Sequence, residues 1–198
     1  MMSNDPVDLK KHNMGLIVRL RNREGSATDL EENDKYYNRP IESRRAIQSL
    51  GIQELVIALY DSAREDIGKY FKQAISAIHS ARMRGVNVLV HCDMGISRSS
   101  TIIMAYQIWL AAHRIENTMP PVDYLIDSLR QRRGIVNPNP GFTRTLQRYH
   151  TAWHQTRERC REYRRILAAD FPVTRQSRLD RTRSLMQNAG RMITQQFQ

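Results

Sequence analysis

The chain has 198 residues, of which 26% are charged and 40% hydrophobic, with a formal net charge of +11. That length excludes a minimal peptide scaffold and leaves room for one domain with a sizeable core plus an appendage. Two cysteines, Cys92 and Cys160, exclude a disulfide framework and suit a reducing compartment. No run approaches transmembrane length, and the start, MMSNDPVDLKKHN, lacks the apolar stretch of a signal peptide. The expected protein is therefore soluble and intracellular, in the cytoplasm, with the nucleus, or a host cell or virion for a viral source, as alternatives. The charge is uneven: from Arg157 onward ten Arg stand against four Asp or Glu, a net +6 that leaves +5 for everything before.

In chain order, Asp5-Pro6 starts a short helical turn through Leu9. Met14 to Leu20, MGLIVRL, reads as a strand. Residues 21–38 are polar, rich in turn formers, and read as a loop, with Tyr36 and Tyr37 as local packing residues more readily than pocket walls. Asn38 as a cap, Pro40 in the first turn and Gly51 past the end frame a short helix over Pro40–Leu50. Ile52 to Tyr60 reads as a second, buried strand. Asp61-Ser62 breaks that run. Ile67, Tyr70, Phe71, Ala74, Ile75 and Ile78 then recur at helical spacing until Gly85. An aspartate before a helix is ordinarily a cap, and Asp61 and Asp66 compete for any acid role at this strand end.

Val86 to Thr101, VNVLVHCDMGISRSST, is the stretch that carries chemistry. Val86–Val90 is a short apolar run with the character of a buried strand. It leads through His91-Cys92 and a turn at Gly95 to Arg98-Ser99, where a helix runs from Ser99 to Ala112 with Ile102, Tyr106, Trp109 and Leu110 on one apolar side. Strand, helix, strand implies a right-handed parallel crossover with this loop at the carboxyl end of the third strand. A strand turning tightly into a helix aims backbone N–H groups and the positive end of the helix dipole at one spot, an anion site. A guanidinium six residues after the cysteine can close over the same anion. A free thiol has a pKa of about 8.5, and such a setting brings it to roughly 3.5–7.5. Cys92 is then expected to be a thiolate held against a tetrahedral dianion, which sets up phosphoryl transfer to sulfur. A buried structural cysteine is the bland alternative, and it leaves the His-Cys-x5-Arg-Ser spacing unexplained.

Beyond it, Pro120-Pro121 opens a helix through Arg133, and Asn139 stands before Pro140 in the position of a helix N-cap. Phe142, Leu146, Tyr149 and Trp153 mark a closing helix that packs on the sheet. His150 and His154 stand at i and i+4, a metal-capable spacing with no third ligand in sight, and read as one face of a helix. RERCREYRRILAA, from Arg157, prolongs the closing helix until Phe171-Pro172. Ser177-x-x-Asp180 can cap a second helix with Met186, Ala189, Ile193 and Phe197 as an apolar stripe. A basic amphipathic helix suits RNA, an acidic surface or a partner subunit, with packing or a homodimer slightly favoured.

His91-Cys92-Asp93-Met94-Gly95-Ile96-Ser97-Arg98-Ser99 resembles the signature loop of cysteine-based protein phosphatases. The Ser-Arg-Ser ending, with Thr101 to Tyr106 after it, resembles the dual-specificity branch. Tyr60-Asp61-Ser62-x-x-x-Asp66-Ile67-x-x-Tyr70-Phe71 resembles that family's general-acid loop, which implies Asp61 as the acid and Asp66 as a helix-start residue. Pro138-Asn139-Pro140-Gly141-Phe142 resembles its Pro-Asn-x-Gly-Phe segment, in which Asn139 steadies the signature loop from behind. The resemblance covers Met14 to Trp153. One departure is that the family's N-terminal strand-and-turn segment, with its Leu-Gly pair, is not found before Met14.

The expected fold is α/β, a central mostly parallel twisted sheet of four or five strands flanked by helices, with the catalytic domain in residues 1–156 and a basic helical extension in residues 157–198. The resemblance implies hydrolysis of phosphotyrosine and phosphoserine/threonine esters on proteins, with no metal or other cofactor. Cys92 is the implied nucleophile. Arg98 and the amides of Asp93, Met94, Gly95, Ile96, Ser97 and Arg98 hold the phosphate. Asp61 is the acid, Ser99 assists the sulfur as it leaves, and His91 orients the cysteine. An RNA 5′-phosphatase or triphosphatase of the same superfamily fits the basic charge. A phosphoinositide phosphatase is disfavoured, since Asp93, Met94 and Ile96 replace the lysines such loops carry. A non-catalytic phosphate-binding module is disfavoured by Cys92, Arg98 and Asp61 occurring together.

Overall fold

The computed structural model describes residues 6–23, 45, 47–114 and 118–170. The expectations for Tyr36-Tyr37, the Asn38 cap, Pro40, Phe171-Pro172 and the helix from Ser177 lie outside those residues. Two compact units divide the chain, Met1–Thr151 and Ala152–Gln198.

The first unit opens with α1 (Pro6–Lys11) and β1 (Met14–Arg21). After β2 (Gln53–Ala58), a 3-10 turn over Ile67–Tyr70 runs into α2 (Phe71–Met83), which leads to β3 (Asn87–His91). Then follow α3 (Arg98–His113), α4 (Val122–Arg132) and the start of α5 (Pro140–Asp170). The strands form one parallel sheet in the order β2-β1-β3. Leu20 of β1 aligns with Ile57 of β2, and Val18 of β1 with Val90 of β3.

Among the described residues the sheet has three strands, not the expected four or five. Only three apolar runs among these residues are bounded as strands. Before Met14 the described residues form α1 and a turn, with Leu9 in a cluster with Ile17, Ile47 and Ile52, so among the described residues no strand lies there.

The expected burial of the second and third strands also needs correction. β1 is the central strand and carries the buried Leu16, Ile17, Val18 and Leu20. β2 and β3 flank it, so β2 has only Ile57 buried and leaves Val56 44% exposed, while β3 is half-buried over most of its length. The core is completed by Ile67 of the 3-10 turn, by Phe71, Ala74, Ile75 and Ile78 of the crossover helix α2, and by α3. α3 is buried well beyond the stripe expected of it. Met104, Ala105 and Ile108 are buried with Ile102 and Tyr106, whereas Trp109 and Leu110 are half-buried.

The start of α5 contributes Phe142 and Leu146, both fully buried, and Tyr149, whose ring meets Phe71 edge-on at 5.0 Å. In the second unit α5 continues to Asp170 with the i,i+3 pairs Arg161–Glu158 and Arg165–Glu162, and with Tyr163 and Ile166 about half exposed. No helix among the described residues is long and apolar enough to cross a membrane.

Candidate active site

Three parallel strands end at one edge of the sheet, and each delivers a polar residue there: Asn22 after β1, Asp61 after β2 and Cys92 after β3. The chain passes from β1 to one neighbour and then, through α2, to the other, so β1 marks a switch point, the place where ligands bind in open parallel sheets.

Cys92 is buried, and its Sγ lies 3.2 Å from the Ser99 hydroxyl in the first turn of α3. Between them the chain turns at Gly95, whose φ of 68° is the left-handed region that suits glycine. Ser97 is the N-cap of α3, yet its hydroxyl makes no bond to the helix's own amides. Capping hydroxyls ordinarily satisfy the first N–H groups of a helix. Here that hydroxyl is used elsewhere, and the positive end of α3 points at the loop without it. Ser100 and Thr101 are buried polar residues whose hydroxyls donate to the carbonyls of Ile96 and Ser97, which ties the loop to the helix behind it.

Arg98, 5% exposed, is held from several sides. Its Nη1 donates to Asn22 Oδ1 at 2.9 Å and to the Leu59 carbonyl at 3.4 Å, its Nη2 donates to Asp93 Oδ2, and its Nε is 3.8 Å from Asp61 Oδ2. Asp61 Oδ1 accepts two bonds of 2.7 Å, from Ser97 Oγ and from Asn139 Nδ2. Asp66 caps the 3-10 turn by accepting from Gly68 N–H at 3.0 Å, as expected of a helix-start residue. Arg23 bridges the same loop, donating to the Ala58 carbonyl and to Glu65; Tyr70, chiefly, and Glu65 raise its guanidinium above the usual range.

The structure thus gathers Cys92, Ser99, Arg98, Asp61, Ser97 and Asn139. His91 ends β3 directly before Cys92 and is half-buried. Met94 is 63% exposed and Ile96 half-buried, so the outer half of the loop is open to solvent.

Asn139 does more than lie behind the loop. Its backbone N–H donates to Ser97 Oγ at 3.1 Å, its side-chain oxygen caps α5 at Phe142 N–H, and its amide reaches Asp61. Gly141, two residues on, packs so closely against the Ala63 carbonyl that a Cβ would overlap it.

Sequence reasoning missed four contributors. Asn22 holds Arg98. The Asp93 side chain pairs with Arg98 in addition to its backbone part in the loop. Arg133 donates to the Met94 carbonyl at 2.9 Å and lies against Gly95, while Asn137 N–H donates to the Ile96 carbonyl. Nothing in the residue pattern of a polar loop or a helix end distinguishes Asn22 or Arg133 from solvated surface. Among the described residues no three His, Cys, Asp or Glu side chains are placed to hold a metal ion.

Residues 26–152 match the family model described as dual specificity phosphatase, catalytic domain. The chain belongs to the dual specificity phosphatase family. It is 36% identical over 113 residues to Dual specificity protein phosphatase 15 of Mus musculus, which covers 57% of this chain and 45% of that protein. It is 35% identical over 113 residues to Dual specificity protein phosphatase 22 of Homo sapiens, covering 57% and 58%. The chain spans about half the length of these curated relatives. Among solved structures it is similar to DUSP15, with 28% identity, a TM-score of 0.57, and coverage of 80% of this chain and 84% of that one. The fold is accordingly that of the protein tyrosine phosphatase-like α/β proteins, built here on a three-stranded described sheet.

Proposed function

We propose that the protein hydrolyses phosphomonoesters on proteins, at phosphotyrosine and at phosphoserine or phosphothreonine, through a cysteinyl-phosphate. The observation that carries this reading is the meeting of Cys92, Arg98 and Asp61 at one sheet edge, from two different strand ends and one helix N-terminus. Cys92 Sγ attacks phosphorus as the P–O bond to the leaving group breaks. Arg98 and the loop amides hold the three equatorial oxygens as charge redistributes in a loose transition state. Asp61 gives its proton to the leaving oxygen. Water then attacks the phosphorus of the cysteinyl-phosphate and yields its proton to Asp61. The P–S bond breaks, Ser99 donates a hydrogen bond to the departing sulfur, and inorganic phosphate is released. His91 fixes the direction in which Cys92 leaves β3.

A panel of phosphopeptides, 5′-triphosphorylated RNA and inositol lipid phosphates tests this reading. Turnover of phosphotyrosine and phosphoserine/threonine peptides, with RNA and lipids poor substrates, is the expected result. Turnover confined to RNA or to lipids would replace it.

The catalytic part is residues 1–156, and the basic extension from Arg157 sets location or assembly, by a homodimer contact or by contact with RNA or an acidic surface. A chain ending after Pro172 is expected to keep its rate on a small aryl phosphate. A dimeric tail makes the full chain sediment heavier than the truncate at low and high salt. A polyanion-binding tail gives a difference in RNA or vesicle binding that salt removes, through counterion release. A truncate that folds but has lost turnover would put the tail in the active site instead.

A further inference from the structure

The hydrogen bonds around Asp61 fix more than its location, because two of its neighbours have no freedom in the direction of their bonds. The Asn139 side-chain oxygen accepts from Phe142 N–H at 3.0 Å, so the end of that amide facing Asp61 is the NH2 group, which can only donate. The Asn139 backbone N–H donates to Ser97 Oγ at 3.1 Å, so that hydroxyl has its single hydrogen left for Asp61 Oδ1, 2.7 Å away. Both donors end on the same carboxylate oxygen. A proton on Oδ1 would face two N–H or O–H hydrogens, whereas Oδ2 turns towards Arg98 Nε at 3.8 Å, the cation beside which the phosphate's oxygens are held. Gly141 allows α5 to approach the acid loop closely enough for this arrangement.

We propose that Ser97 and Asn139 are positioning residues for the acid: they clamp Asp61 by Oδ1 and leave Oδ2 as the oxygen that delivers the proton. The inference rests on the phosphatase reading and specifies one of its steps. As the P–O bond breaks, its electron pair stays on the leaving oxygen, the proton passes there from Oδ2, and Asp61 is left as a carboxylate with Oδ1 still doubly hydrogen-bonded. In the second step the proton of the attacking water returns to Oδ2. The clamp holds the carboxyl plane in one orientation through both steps, and proton transfer requires that geometry first.

The test is a double-mutant cycle read with two substrates, phenyl phosphate, whose leaving group needs the proton, and 2,4-dinitrophenyl phosphate, whose leaving group does not. Asn139→Ser keeps an N-cap for α5 but is too short to reach Asp61, and Ser97→Ala removes the other donor; each variant is melted to confirm folding. For each, kcat/KM, which reports the steps up to cysteine phosphorylation, is expected to fall about tenfold or more on phenyl phosphate, and clearly less on dinitrophenyl phosphate. Neither substitution should slow the Asp61→Asn protein further. Equal losses on both substrates, or losses that multiply fully with Asp61→Asn, would show that these residues serve only the loop and would overturn the proposal. An Asp61→Asn protein with no dependence on leaving group would instead remove Asp61 as the acid, a separate failure. If Asn139→Ser does not fold, the Ser97→Ala cycle decides alone.

Discussion

The loop over residues 91–99 and the connection over residues 133–141 face each other across the site and are made by different means. The loop is contiguous: nine residues supply the thiol, the hydroxyl beside it, the guanidinium and a left-handed glycine, and the strand before and helix after aim them. The connection supplies no reacting atom. It braces the loop from outside through Arg133 on the Met94 carbonyl, Asn137 on the Ile96 carbonyl and Asn139 on Ser97, and is itself braced by Arg130, which donates to the Val136 carbonyl and to Asn137. The lesson is a division of labour. Chemistry is concentrated in a short stretch of sequence, and the stiffness of that stretch is borrowed from residues about forty positions away.

Substitutions on the two sides should therefore fail differently. Cys92→Ser keeps the anion site and removes the nucleophile. Turnover of an aryl phosphate should vanish while phosphate, tungstate or a phosphopeptide still binds by calorimetry; substantial remaining turnover would end the covalent mechanism. Gly95→Ala is the next largest. It places a side chain at φ 68°, which costs roughly 1–2 kcal/mol, and sets a Cβ about 3.1 Å from the Arg133 guanidinium. A displaced loop can lose up to about 10²-fold in kcat/KM, and the thermal midpoint should fall with it.

Arg133→Ala takes away one exposed hydrogen bond, worth about 0.5–1.5 kcal/mol, so kcat/KM should drop a few-fold to about tenfold, with anion affinity falling alongside. Combining the last two substitutions removes the steric part of the Gly95→Ala defect but not its backbone strain. The double variant should thus be better than the product of the singles. Strict multiplication would mean that the contact between Gly95 and Arg133 has no energetic consequence.

The same contrast explains what could be read from the sequence. The gathering of the loop was legible because its residues are spaced along one short run, and the place of Asp61 beside it because the motif around it, through Asp66 and Phe71, is long. The helix after the loop was legible in extent but not in burial. Ser100 and Thr101 look like surface residues, and they are buried because their hydroxyls find carbonyls one turn back. Strand order was not legible. Ile52–Tyr60 is apolar enough for a central strand, but β1 occupies the centre and leaves Val56 facing outward. Asn22 and Arg133 were illegible for a different reason: each is a polar side chain in an exposed segment, and its role exists only because the fold brings it to a partner 76 or 39 residues away.

The account stands on phosphoryl transfer to Cys92, and trapping that species tests it most directly. In Asp61→Asn the first step remains fast with an activated aryl phosphate, while hydrolysis of the intermediate, which needs the carboxylate, is slow. Quenching that protein in acid within one turnover and mapping its peptides by mass spectrometry should find one phosphoryl group on the peptide containing Cys92, absent from Cys92→Ser. Release of the aryl alcohol with Cys92 unmodified at every quench time, or with the phosphoryl group on another residue, would contradict the mechanism.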